Sequence, residues 1–109
     1  MTPESYAQFI RENASVFADA KSRRIGAELK LKSAKAVLMK CALQDGVSQI
    51  AAQEREALAD GEYSALYDEL CKAIKVEEEL KYKLEAARLF IDIWRTREAS
   101  ERLAIRSHE

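Results

Sequence analysis

Lys81, Arg88, Arg95 and Arg102 recur at seven-residue intervals, and Arg106 follows one helical turn later. Seven residues are nearly two whole turns of α-helix, so these cations fall on one row, about 30 Å long over the first four at ~1.5 Å per residue. A row of that kind can follow a nucleic-acid backbone from phosphate to phosphate. Lys21, Arg24, Lys32 and Lys35 make a second basic stripe earlier in the chain, with the same expected chemistry. A purely structural account stands beside both rows. Glu77, Asp92 and Glu98 lie three or four positions from cations of the C-terminal row, the spacing of intrahelical ion pairs.

Catalytic chemistry finds little to work with. His108 is the single histidine and sits next to the last residue, where a general base or metal ligand would lack support. No glycine-rich phosphate loop or Ser-His-Asp set is present, and the Glu-x-x-His motif of di-metal helical bundles is missing. Cys41 and Cys71 have no partner at metal-ligand spacing and read as small buried hydrophobes of a reducing compartment. The aromatic residues, Trp94 among them, fall mostly at apolar helical positions, which favours core packing over base stacking. The expectation is a protein that is not an enzyme and needs no cofactor or metal.

The elements that would position these residues are helical. One proline and three glycines in 109 residues leave almost no turn chemistry for strands. Thr2-Pro3 is a helix start, with Thr as the cap and Pro at the first helical position. A helix over about 3–43 follows, either continuous or broken near Asn13 and Ser15, both of which prefer caps. Gly46 ends it, Ser48 caps a short helix over about 48–60, and a long helix runs over about 62–106. Together these make one helical domain, 1–109.

The last helix carries a heptad seam through Leu66, Leu70, Ala73, Glu77, Leu80, Leu84, Ala87, Ile91, Trp94 and Glu98. Polar Glu77 and Glu98 within it read as residues that set register or mark where the partner helix ends. A second apolar row, Tyr67, Cys71, Ile74, Tyr82, Ala86, Leu89 and Ile93, lies on another face. The first helix repeats the behaviour: Ala20, Ala27, Leu31, Ala34, Leu38 and Cys41 oppose Ala18, Ile25, Leu29, Ala36 and Leu43. A helix that needs cover on two sides is not satisfied by one neighbour. The fold expected is therefore all-α: an antiparallel hairpin of long helices with a short connecting helix, dimerising into a four-helix bundle or coiled coil.

The net charge of −1 conceals blocks. Residues 21–43 hold seven Lys/Arg against one Glu, and residues 44–80 hold ten Asp/Glu against three Lys/Arg. In a hairpin, Lys30, Lys32 and Lys35 would lie near Glu69, Glu77, Glu78 and Glu79, and this neutralisation competes with phosphate binding as the role of the basic helix. The N-terminal residues lack the basic and apolar regions of a leader, and no stretch approaches the ~20 apolar residues of a membrane span. The expectation is a cytoplasmic protein without membrane contact.

The run AQEREALAD-GEYSALYDEL, followed by EEELKYKLEAARLFIDIWRTREASER, resembles a group of small helical proteins encoded by bacteriophages and prophages. In that group an E-R-E-A segment leads into a long helix ending in W-R-[ST]-x-x-A-x-x-R, here Trp94, Arg95, Thr96, Ala99 and Arg102. The resemblance covers roughly residues 50–103. It implies a phage origin, a bacterial host cell, and a place among genes for DNA recombination or replication, and it transfers no catalytic residue. Two functions are thus expected in turn. The first is an accessory protein that touches nucleic acid, or an enzyme acting on it, through the basic rows. The second is a protein-interaction module that binds a host or phage protein with no nucleic-acid contact.

Overall fold

The computed structural model describes residues 2–108, and among these there is no strand. Helix α1 spans Pro3–Gln44, α2 spans Ile50–Ala59, and α3 spans Gly61–His108. The chain is an all-helical hairpin in which the two long helices pack on each other. No helix among the described residues is long and apolar enough to cross a membrane.

Both ends of α1 follow from nearby residue types. Thr2 and Ser5 cap α1 reciprocally: the Ser5 N–H donates to Thr2 Oγ1 at 3.2 Å and the Thr2 N–H donates to Ser5 Oγ at 2.9 Å. This is a capping box with serine in the place of the usual Glu or Gln. α1 continues unbroken through Asn13, because the Asn13 amide donates to the Phe9 carbonyl one turn back at 2.8 Å instead of competing for a cap. Gly46, at φ 96°, closes α1. Val47 N–H reaches the Ala42 carbonyl at 3.0 Å and Gly46 N–H reaches Leu43 at 3.1 Å, the paired bonds of a Schellman motif.

The start of α2 differs from expectation. Gln49, not Ser48, is the cap residue, and it makes no side-chain cap bond. Gln53 takes over the anchoring role: it is buried, and its amide donates to the Val47 carbonyl at 2.8 Å. Asp60 alone separates α2 from α3. Its N–H bonds back to Ala57 at 3.2 Å, while its carboxylate accepts the Glu62 N–H at 2.8 Å. One residue therefore ends one helix and caps the next.

Contacts divide the chain into two units: α1 up to Ala18 with α3 from Glu78 onward, and Asp19–Glu77. In the second unit the α1 stretch from Arg23 to Lys30 lies beside the α3 stretch from Glu69 to Val76, with α2 packed at the turn. Its buried residues are Ala20, Ala42, Ala57 and Ala73 with Gln53 and Glu77. In the other unit, Leu84 and Ala87 are buried, and the Tyr6 and Phe90 rings stack at a centroid distance of 5.0 Å.

The heptad seam read from the sequence is the buried edge of α3. Leu84, Ala73, Ala87 and Glu77 are buried, and Leu66, Leu70, Leu80, Ile91 and Glu98 are half-buried. Trp94 departs from it, being 43% exposed at the margin of the packed face. On α1 the row of Ala20, Ala27, Leu31, Ala34 and Leu38 faces inward and ends on Ala42 in place of Cys41. The opposite rows, Ile25, Leu29 and Leu43 on α1 and Tyr67, Ile74, Tyr82, Leu89 and Ile93 on α3, are exposed. Cys41 and Cys71 are exposed free thiols, contrary to the buried role expected of them. Each is adjacent in sequence to the residue that takes the inward position, Ala42 or Leu70, and one residue turns a helix by about 100°.

Candidate functional site

The basic stripe of α1 separates into two kinds of residue. Lys21 and Lys32 are exposed. Arg24 is turned into the hairpin, where its Nε donates to Glu77 Oε2 and its Nη1 donates to Glu28 Oε1, the latter at 2.8 Å. Hydrogen bonding to Glu77, then to Glu28, holds the Arg24 guanidinium even further above its ordinary range. Lys35 reaches Glu54 on α2 at 2.8 Å. That hydrogen bond raises the lysine and depresses the carboxyl. Arg24 and Lys35 are therefore each engaged in ion pairs within the chain. The partner of Lys35 lies on α2, outside the Glu69 and Glu77–Glu79 set expected from the charge blocks.

The C-terminal row is arranged differently. Lys81, Arg88, Arg95, Arg102 and Arg106 are all exposed. None of them makes an ion pair within 4.0 Å among the described residues, so Asp92 and Glu98 do not consume them. Glu85 and Asp92 nevertheless follow Lys81 and Arg88 by four positions, which places carboxylates along the row and weakens its field.

A third arrangement was not expected from the sequence. Around the stacked Tyr6 and Phe90 run two adjoining open grooves, of about 240 and 360 Å³. Pro3, Ile93, Trp94 and Arg97 line one, and Phe9, Lys83, Ala86 and Ala87 line the other. Neither lining contains a carboxylate, and the cations Lys83 and Arg97 each edge one groove. The signal was present in the spacing, since Lys83, Phe90 and Arg97 also recur every seven residues. It was hidden because Phe90 and Trp94, at apolar helical positions, look like core.

A further open groove, of about 460 Å³, lies in the other unit. Its floor is Gly26, Ala27, Ala73 and Val76, and its rim is Arg23, Lys30, Lys72 and Glu69. A Cβ at Gly26 would meet nothing within 4 Å, so this glycine permits no close approach of helices.

Among the described residues, no group of three or more His, Cys, Asp or Glu is placed to hold a metal ion. His108 is exposed in the last turn of α3. Comparison with family models, with curated proteins and with solved structures finds no match to this chain.

Proposed function

We propose that the chain is a non-enzymatic accessory protein of phage type, acting in DNA recombination or replication by binding nucleic acid, or an enzyme engaged on it, through its C-terminal helix. The observation that carries this reading is the row Lys81, Arg88, Arg95, Arg102 and Arg106: exposed, without ion pairs among the described residues, and about 38 Å long at ~1.5 Å per residue. Phosphate binding by such a row is electrostatic and insensitive to sequence. Glu85 and Asp92 temper it, so affinity belongs to low and moderate salt.

Self-association goes with this reading. Five of the six buried apolar residues among those described are alanines, while Ile25, Leu29, Tyr67, Ile74, Tyr82 and Leu89 stay in solvent. Apolar faces of that kind ordinarily belong to an interface, and a second hairpin would cover them as a four-helix bundle in the cytoplasm of a bacterial host cell. The same faces favour a second reading, in which the protein binds only a host or phage protein and no nucleic acid.

Anisotropy of a labelled DNA duplex titrated with the protein separates the two. Binding that falls steeply with salt and is weakened by R88E, R95E and R102E together supports the first reading. A folded protein that leaves DNA free at low salt leaves the second.

A further inference from the structure

We infer that the aromatic face around Phe90 and Trp94 is a binding site for the unstacked bases of single-stranded nucleic acid. The inference rests on the nucleic-acid reading above but on a different set of residues, distinct from the Lys81–Arg106 row. Phe90 is 50% exposed and Trp94 43% exposed, four residues apart on one helix, so both present ring surface to solvent on neighbouring positions. Tyr6 stacks on Phe90 with an interplanar angle of 15°, which supports one face of a ring that stays half exposed. Every base has a π-face, so such rings accept bases without regard to sequence.

The charges around the rings select for a polyanion. Lys83 and Arg97 edge the two grooves, seven residues on either side of Phe90, and no carboxylate lines either groove. Their separation along the helix is about 21 Å at ~1.5 Å per residue, enough for a few nucleotides of extended strand to cross the rings with phosphates meeting a cation at each end. Glu85 and Asp92 lie between Lys83 and Arg97 in sequence but line neither groove. An apolar partner helix would want the rings, but it would gain nothing from the flanking cations. A duplex would meet the cations, but its bases are already stacked. A single strand uses both.

Trp94 is the only tryptophan, so its emission reports on this face directly. The experiment titrates the full chain with a short oligothymidylate and with a duplex of the same length, following Trp94 fluorescence alongside anisotropy of the labelled strand. The expected result is saturable quenching by the single strand and none by the duplex. Phe90→Ala should weaken that binding about tenfold. Lys83→Glu with Arg97→Glu, both at exposed positions, should weaken it similarly and flatten its salt dependence. R88E, R95E and R102E should leave the quenching in place. Single-strand binding that leaves Trp94 unchanged and is lost in the R88E, R95E, R102E protein would uphold the nucleic-acid reading and overturn this site. A blue shift of Trp94 with protein concentration alone, abolished by Phe90→Ala, would overturn it in favour of a second copy covering the rings. Absence of any nucleic-acid binding at low salt, with helicity intact, would overturn both.

Discussion

Arg24 of α1 donates from Nε to Glu77 of α3, joining the two long helices through a carboxylate that is only 7% exposed, on a seam whose neighbouring positions are Ala73 and Leu80. The pair is completed by Glu28, which takes the other arm of the guanidinium. Removing Arg24 leaves the buried Glu77 without its counter-charge, whereas replacing both with apolar residues of similar size removes the desolvation cost as well. Thermal denaturation of three variants should rank accordingly. Arg24→Leu should fall furthest below the parent, Glu28→Ala should fall only slightly, and the double replacement R24L/E77L should recover most of the loss. A double variant less stable than Arg24→Leu would refute this account.

Leu84 is the one large apolar side chain among the buried residues, at 5% exposure. Leu84→Ala should cost about 2–3 kcal/mol in urea denaturation, the lower part of the range for a leucine truncated in a core. Leu89→Ala, five residues on and exposed, should cost less than about 0.5 kcal/mol in the isolated hairpin. A large loss at Leu89 that depends on protein concentration would identify it as part of a self-association face.

Two glycines should respond with opposite signs. Gly46 sits at φ 96°, a conformation that side chains with a Cβ resist, so Gly46→Ala should destabilise the protein by roughly 1–2 kcal/mol. Gly26 is inside α1, with open space where a Cβ would be, so Gly26→Ala should stabilise by roughly 0.5–1 kcal/mol through helix propensity. Equilibrium unfolding of the two variants checks both signs.

The Lys35–Glu54 pair predicts a pH dependence. Glu54 is depressed by Lys35, so its contribution is present above the ordinary carboxylate range near pH ~4.3 and is lost as acid carries the pH down through its lowered folded value. Lys35 is raised by Glu54, so its contribution is complete below the ordinary lysine range near pH ~10.4 and is lost as the pH rises through its raised folded value. The pair therefore supports the fold across the neutral range and fails at both extremes. Because both side chains are partly in water, the effect is modest and screened by salt. Glu54→Gln should flatten the acid limb of the melting-temperature profile, and carboxyl NMR should place Glu54 below its ordinary range.

Much of this was legible because helix period is legible. Leu66 through Ile91 recur at three and four, and a repeat of that kind admits one buried edge. Gly46 could be read as a stop because few other residues tolerate its backbone. What failed were decisions that turn on one residue of azimuth or on cross-helix pairing. Cys41 and Ala42 are both small and apolar, and only the packed hairpin selects Ala42. Lys35 could not be assigned to Glu54 without knowing that α2 folds back beside α1. Trp94 matched the heptad, but it is 43% exposed while Ile91 and Glu98 on either side of it in the seam are half-buried.

Asp60 carries a consequence of another kind. It is the lone residue between α2 and α3, extended at ψ 137°, with helix-forming sequence on both sides. Were that one torsion helical, α2 would run on into the start of α3 as one helix. The bend is thus held by the little that α2 engages: the buried Ala57, the Gln53 amide on Val47 and the Glu54 carboxylate on Lys35. Substitutions at those three residues would act on the angle between α2 and the start of α3 before they acted on helicity.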